Sequence, residues 1–498
     1  MEKLAVIELT EVGTRLTIAN ESNGKYKLIQ EDVDKYDLYK EVEQEKLLKP
    51  LTITTLLATF KMYKKIIDDY AIEKVVAVAT EFLQKARNQK GFIDEVYTNT
   101  NIQFTYISSD DIVKNLYTSV INSIDQTKGY AFDIGTHSVS LVRYNRRSTI
   151  ATAVLPFGFM TCAKKENGEK RTYEEVYEFA LKALENSDFA FASEEEFVCV
   201  GTGEPFINIG RIAKKLDRYP INIDNNYPVS KEMFGKIETF VRDLDLDKIK
   251  RVKGIIADSP DELLNGIAIA SALYKFFNIS EVVVSTANAK DGLIRNFIGV
   301  EIYDRYSDLL ANSFDFYREF MEGDTSANIR VNNMSSILFK QLKVMHKLPR
   351  TYVKALRVAS YMNNVGKCVS CEDYERHGFY VIMNSNLAGV SHKDLLLAAF
   401  TCLCQKADNF NLSEWIKYQS IVTDEDMDAV RKMGVIVKLA ATLNCSKDVN
   451  VTDIICDMLG DSVIMKTVSN FDASYEVKQG AKLADDYRKL FKKNLQII

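Results

Sequence analysis

Two stretches of the chain share one pattern of apolar and polar positions. Leu4–Leu9 is an apolar run with Glu8 near its end, Thr10, Glu11, Val12 and Gly13 form a turn, and Arg15–Ala19 alternates as a returning strand. In the second stretch, Gly129–Val142, Tyr130–Phe132 leads to Asp133, the turn carries Ile134, Gly135, Thr136, His137 and Ser138, and Val139–Val142 returns. Each reads as strand, carboxylate, glycine-bearing turn and strand. Two such hairpins, opening two successive α/β units, predict a duplicated architecture.

Between them, Leu51–Tyr70 has helical spacing, Val75–Ala79 is a compact strand ending at Thr80, and Glu81–Asn99 is expected to be mostly helix. Ile102–Ile107 is a strand, after which Ser108 and Ser109 can cap a helix running to about Ile124. Thr149–Pro156 is the third strand of the second unit. It is followed by a charged loop at Lys164–Arg171, a helix at Tyr173–Glu185 and a strand at Phe197–Val200. Gly201-Thr202-Gly203 turns into a helix over Phe206–Leu216. Pro260–Phe277 is a long helix, Val282–Ser285 a strand and Lys290–Phe297 a helix. Helix-period runs then cover much of Tyr303–Leu439. Two short strands, Val451–Ile455 and Ser462–Val468, precede an amphipathic helix over Tyr475–Asn494.

With 498 residues, 46% of them hydrophobic and 27% charged, the chain has the composition of a soluble globular protein of about three or four domains. A net charge of −5 argues against a general nucleic-acid binder. No apolar run reaches the length of a membrane span, and the N-terminus lacks the features of a signal peptide. Eight cysteines in so long a chain are not a disulfide framework, and reduced thiols in the cytoplasm are the expectation.

Candidate chemistry is sparse. Asp133 with Gly135 can hold a cation or water beside a phosphate, with turn N–H groups facing the anion, or can be a plain hairpin turn. Asp110 and Asp111 fall in the first turn of a helix, where the dipole favours them as capping residues. The four histidines, His137, His346, His377 and His392, are scattered. His137 alone sits in a candidate phosphate turn, as a donor to phosphate or as a solvated residue. Cys368 and Cys371 with Cys402 and Cys404 could supply four thiolates, but buried free cysteines are the preferred reading. Arg143, Arg146, Arg147, Lys164 and Lys165 lie near the second turn, as a path for a polyanion or as a solvated hairpin tip.

Several segments together resemble the exopolyphosphatase/guanosine pentaphosphate phosphohydrolase family. Val78-Ala79-Thr80 with Ala86 and Asn88 is similar to its ATSALR-x-A-x-N segment. Asp133-Ile134-Gly135 with Ser138 is similar to DIGGGS, and Leu155-Pro156-Phe157-Gly158 to its PLG element. Gly201-Thr202-Gly203 with Asn208, Arg211 and Ile212 resembles GTGGT-I-R-N-L-A-R-I, and Val284-Ser285 with Lys290–Leu293 resembles VS…REGLL. His377, Asn384-Ser385 and Gly389–His392 resemble HS…NS…GFSH.

The resemblance implies a duplicated, two-lobed α/β core of the actin-like ATPase (ribonuclease H-like) fold, with lobes at 1–125 and 126–300. An all-α HD-like domain at 301–445 and a small α+β domain at 446–498 complete it. It implies release of terminal phosphate from polyphosphate or a pppGpp-like nucleotide, with Mg²⁺ (or Mn²⁺) held by Glu8 and Asp133. Phosphate would lie against Gly13, Gly135, Thr136, His137, Ser138, Gly201, Thr202 and Gly203. The family's water-activating glutamate lies on SG-x-EEA. That pattern places Asp111 at the catalytic position in Ser108-Ser109-Asp110-Asp111-Ile112-Val113, or Asp110 after a shift of one. The expected partners are that phosphate ligand and a second copy in a homodimer, with neither nucleic acid nor membrane.

The chain departs from the pattern where the chemistry lies. Glu8 replaces an aspartate and Thr10 a glycine, with Glu11 and Val12 following. Glu81 replaces a serine, Gln84 an arginine, Thr161 an arginine, and Glu204-Pro205 a Gly-Thr pair. The His-Asp metal pair of an HD enzyme falls at Asn363-Asn364, so no HD-type metal site is expected. These losses support a competing expectation, a catalytically impaired member that binds a phosphorylated ligand or a protein as a regulator.

Overall fold

A computed structural model describes the chain except residues 166, 188, 190–196, 243–254, 256–259, 300–307, 321–324, 406–409 and 447–450. The first residues of the helical stretch expected from Tyr303 lie outside the described residues. The chain divides into two units, Met1–Leu216 with Tyr227–Asn312, and Asp217–Asn226 with Ser313–Ile498.

The first unit holds two mixed sheets. In one, β1 (Glu2–Thr10), β2 (Gly13–Ser22) and β3 (Lys25–Lys35) form an antiparallel meander. From β1 the sheet continues in parallel through β4 (Lys74–Thr80) and β5 (Phe104–Ile107), giving the order β3-β2-β1-β4-β5. In the other, β6 (Lys128–Ile134), β7 (Val139–Asn145) and β8 (Ser148–Leu155) repeat the meander. β9 (Phe197–Thr202) and β11 (Ile279–Val284) continue it in parallel, and β10 (Tyr227–Ser230) adds an antiparallel edge. The order is β10-β11-β9-β6-β7-β8. A meander followed by two parallel strands therefore occurs twice, as the two hairpins predicted.

The central strands read clearly because they are buried on both faces. Leu4, Ala5, Val6 and Ile7 have no exposed surface. β3 gave no such signal: it is an edge strand rich in Lys, Glu and Asp, with Leu28, Ile29 and Val33 exposed. β10 was also not anticipated.

Helices α1 (Pro50–Asp69) and α2 (Gln89–Thr100) pack Phe60, Tyr63 and Phe92 onto the first sheet. The expected helix over Glu81–Asn99 is instead a 3₁₀ turn at Glu81–Lys85 followed by α2. The Asn88 amide explains the break. It donates to Leu48 O and accepts from Leu48 N (2.8 and 2.9 Å), which holds the chain out of the helix. Further along are α3 (Ser109–Ile121), α4 (Tyr173–Glu185), α5 (Glu204–Leu216), α6 (Lys231–Arg242), α7 (Pro260–Phe276) and α8 (Ala289–Phe297).

Helices α3 and α8 are exchanged between the sheets. α3 follows β5, yet Val113, Leu116 and Val120 pack with Ala131, Val142 and Val200 of the second sheet. α8 follows β11, yet Leu293 and Ile294 pack with Leu4, Val6 and Val78 of the first. The helices touch where Gly292 meets Asn115. A Cβ at Gly292 would lie 2.3 Å from Asn115 O, so only glycine permits this approach. Gly292→Ala is expected to destabilise the first unit by about 1–3 kcal/mol, measured as a fall in its urea midpoint.

In the second unit, the helices Thr325–Gln341, Val353–Tyr361, Tyr374–Met383, His392–Leu403 and Asp424–Leu443 enclose Leu338, Leu356, Phe400 and Met433. β12 (Val451–Leu459) and β13 (Ser462–Ser469) form a hairpin, and β14 (Asn494–Ile497) pairs in parallel with β13. The single helix expected over Tyr475–Asn494 is two, Ser474–Ala481 and Ala484–Phe491. The second stops where Lys492 adopts φ +56°, turning the chain into β14. Cys402 and Cys404 are buried, while Cys368 and Cys371 are exposed. Asn363 donates to Ser360 O at 2.6 Å, closing its own helical turn. Among the described residues no helix is long and apolar enough to cross a membrane.

Candidate active site

The carboxyl ends of β1 and β6 face a cavity of about 570 Å³ between the two sheets, where ligands gather in open α/β sheets. Glu8 and Asp133 hold matching positions. Glu8 pairs with Arg15 on β2 and Val78 on β4, and Asp133 with Ser140 on β7 and Thr202 on β9. Both line the cavity.

Their electrostatics differ. Glu8 Oε2 lies 3.4 Å from Arg15 Nη1. Burial nevertheless raises the Glu8 pKa, partly offset by Arg15 and by Lys290. Arg15 also reaches Glu31, to which Lys290 of α8 is bonded. Asp133 has no protein hydrogen-bond partner among the described residues, and burial pushes its pKa up to about 6. It is a desolvated carboxylate without a countercharge.

The second turn is built to bring backbone close. Gly135 N donates to Ser138 O (2.9 Å), and Phe159 N and Met160 N donate to Gly135 O and Thr136 O. The two residues that follow the PLG-like element therefore brace the turn. Gly203 has φ +88°, and a Cβ there would lie 2.8 Å from Asp133 Oδ1. Only glycine suits that backbone and leaves the carboxylate clear.

The other candidates separate. Gly13, Gly135, Thr136, His137 and Ser138 line the cavity. Gly201, Thr202 and Gly203 do not, although Gly203 abuts Asp133. The Thr202 hydroxyl is buried and donates to Ala287 O (2.5 Å), so it ties β9 to the chain after β11. His137 stacks on Tyr39 at 3.9 Å between ring centroids, and Tyr39 stacks on Phe82, so this row of rings spans the two lobes. Burial lowers the His137 pKa to about 4, and its buried Nδ1 has no partner among the described residues. Tyr39 belongs to no motif, and the sequence held no signal for it.

Asp110 and Asp111 are not among the cavity-lining residues. Asp111 accepts from Ser108 Oγ (2.7 Å), while its N–H donates to the same oxygen (3.1 Å). That cap lowers the Asp111 pKa, and its side chain is 47% exposed. On α3 the residues lining the cavity are Ile112 and, one turn on, Asn115. Asn115 is buried, and its Oδ1 has no partner among the described residues.

The lining is acidic. Among the described residues, Glu8, Glu11, Asp34 and Asp37 from the first lobe join Asp133, Glu204 and Glu262 from the second, against Arg15 and Lys35. Thr80 donates to Glu11 (3.2 Å), fixing that carboxylate in the lining, whereas Glu81 is not there. Of the basic hairpin residues, Arg147 bonds Ile121 O and Lys165 pairs with Glu175. Among the described residues no three His, Cys, Asp or Glu side chains form a metal-binding group.

Two sheets of this order, with hairpin turns meeting at a cleft, define an actin-like α/β fold. The chain belongs to the Ppx/GppA phosphatase family: residues 17–299 match the family and residues 317–496 its domain III. It is 23% identical over 434 residues to a guanosine-5'-triphosphate,3'-diphosphate pyrophosphatase of Aeromonas salmonicida, covering 84% of this chain and 83% of that one. Among solved structures it is similar to the Ppx/GppA family member of Aquifex aeolicus (TM-score 0.50, 22% identity, 59% of this chain and 97% of that one). It is also similar to an exopolyphosphatase from Cytophaga hutchinsonii (TM-score 0.50, 16% identity, 60% and 99% covered).

Proposed function

We propose that the protein is a cytoplasmic phosphohydrolase that releases terminal phosphate from inorganic polyphosphate or a pppGpp-like nucleotide bound in the cleft between the sheets. The observation that carries this reading is Asp133, an uncompensated carboxylate at a turn where glycine lets backbone approach. A half-buried, desolvated acid with no countercharge among the described residues fits a divalent cation, Mg²⁺ or Mn²⁺. Asp133 would hold it, and Glu8, which lines the same cavity, would contribute less because Arg15 already takes part of its charge. Such a cation, when bound, neutralises phosphate oxygens. Gly135 spends its own N–H inside the turn on Ser138 O, so Thr136, His137 and Ser138 are the turn residues that would meet the anion, with the His137 ring held by its stack on Tyr39. Asp111, or Asp110, is the proposed water-orienting base. To serve, Asp111 must give up its Ser108 bond and turn toward the cavity.

A second reading is favoured by one observation: the position of this segment facing the cavity carries Ile112, not a carboxylate. On that reading the chain binds a phosphorylated ligand without hydrolysing it. The same family reading takes the helical part of the second unit as HD-like and as the surface for a homodimer. The deciding experiment follows phosphate release from long-chain polyphosphate and from pppGpp with Mg²⁺ or Mn²⁺. Release that falls in Asp111→Asn supports hydrolysis. Binding of either compound with no release above that variant sinks it.

A further inference from the structure

The second unit contains a cavity of about 420 Å³ that none of this chemistry uses. Helix Asp424–Leu443 presents Arg431, Val435 and Lys438 to it, spaced four and three residues apart and so on one face. Helix Ala484–Phe491 adds Asp486, Lys489 and Leu490. Phe410 forms a further wall, with the Arg431 guanidinium 4.5 Å from its ring centroid. Among the described residues no carboxylate pairs with Arg431 or Lys438, and Lys489 reaches Asp486 only at 3.6 Å.

Gln405 also lines the cavity. It is 7% exposed. Its Nε2 faces three acceptors, Asn363 O (3.4 Å), Cys402 O (3.3 Å) and Cys402 Sγ (3.5 Å), which fixes the orientation of the amide. Its Oε1 is buried with no donor among the described residues. Unsatisfied buried acceptors are rare and costly.

We propose that this cavity binds a purine mononucleotide. The apolar walls take the base, a base N–H satisfies Gln405 Oε1, and Arg431, Lys438 and Lys489 take the phosphate. Bare phosphate would leave the apolar walls empty, and a fatty acid has no donor for Gln405. The cavity is of a size for such ligands.

The test titrates the full chain, in EDTA, with fluorescent N-methylanthraniloyl GMP and AMP. Saturable binding is expected at micromolar concentration, weakened at least tenfold in Arg431→Ala and in Lys438→Ala. It is expected to be unchanged in Asp133→Asn, which lies in the other unit. Gln405→Met is expected to weaken it as well. Arg431 is exposed, so the test does not depend on the buried variant folding. No saturable signal, binding lost in Asp133→Asn but kept in Arg431→Ala, or displacement by octanoate but not by unlabelled GMP or AMP would each overturn the proposal.

Discussion

Asp133→Asn is expected to lower phosphate release by a hundredfold or more, with the loss greatest at limiting Mg²⁺. Partners that only orient a metal ligand typically cost about 10–100-fold when removed, and Asp133 is proposed as the ligand itself. The same variant has a signature that does not require turnover. Burial raises the Asp133 pKa from 3.8 to about 6, so ionising it in the folded protein is penalised. Its contribution to stability is present in full below about pH 4 and is lost as pH rises through 6, on the order of 3 kcal/mol. In EDTA, urea unfolding of the native protein is expected to show that decline, and Asp133→Asn a flatter profile. Above pH 6, Mg²⁺ is expected to restore stability to the native protein by binding the folded state, and not to the variant. Equal Mg²⁺ stabilisation in both proteins would remove Asp133 from the cation site.

The parts of the fold that were legible are those in which local pattern and burial agree. β1 and β6 are runs of Leu, Val, Ile, Tyr and Phe with both faces covered, and each ends in an acid and a turn. Ser108-Ser109-Asp110-Asp111 has the spacing of a helix cap, and Ser108 and Asp111 bond each other in that way. β3 was not legible because an exposed edge strand does not need apolar alternation. The helix expected after Thr80 is interrupted by a contact from Asn88 to Leu48, forty residues away. Tyr39 meets His137 through tertiary structure alone. The site was legible as two turns but not as a surface. Val113, Leu116 and Val120 mark the buried stripe of α3. Placing that stripe on the second sheet, which turns Ile112 and Asn115 to the cavity, required the helix exchange itself.

Ile112→Glu is expected to raise phosphate release by about 10²–10⁴-fold if the native cleft lacks a general base, which is the range a positioned acid or base contributes. The family segment SG-x-EEA carries two adjacent glutamates, and this chain carries Asp111 and Ile112 there. The first is held by the Ser108 cap and lies outside the lining, whereas the second lines the cavity. A carboxylate at 112 would enter the cavity on the face that also presents Asn115, without disturbing the cap or the buried stripe. Ile112→Gln has the same shape without the charge and is expected to leave the rate at its native level. The two readings of the cleft then part cleanly. If Ile112→Glu gains activity and Asp111→Asn loses nothing, the native chain binds its ligand without a base. If Asp111→Asn abolishes release and Ile112→Glu adds nothing, Asp111 leaves its cap during turnover and the native chain is a hydrolase.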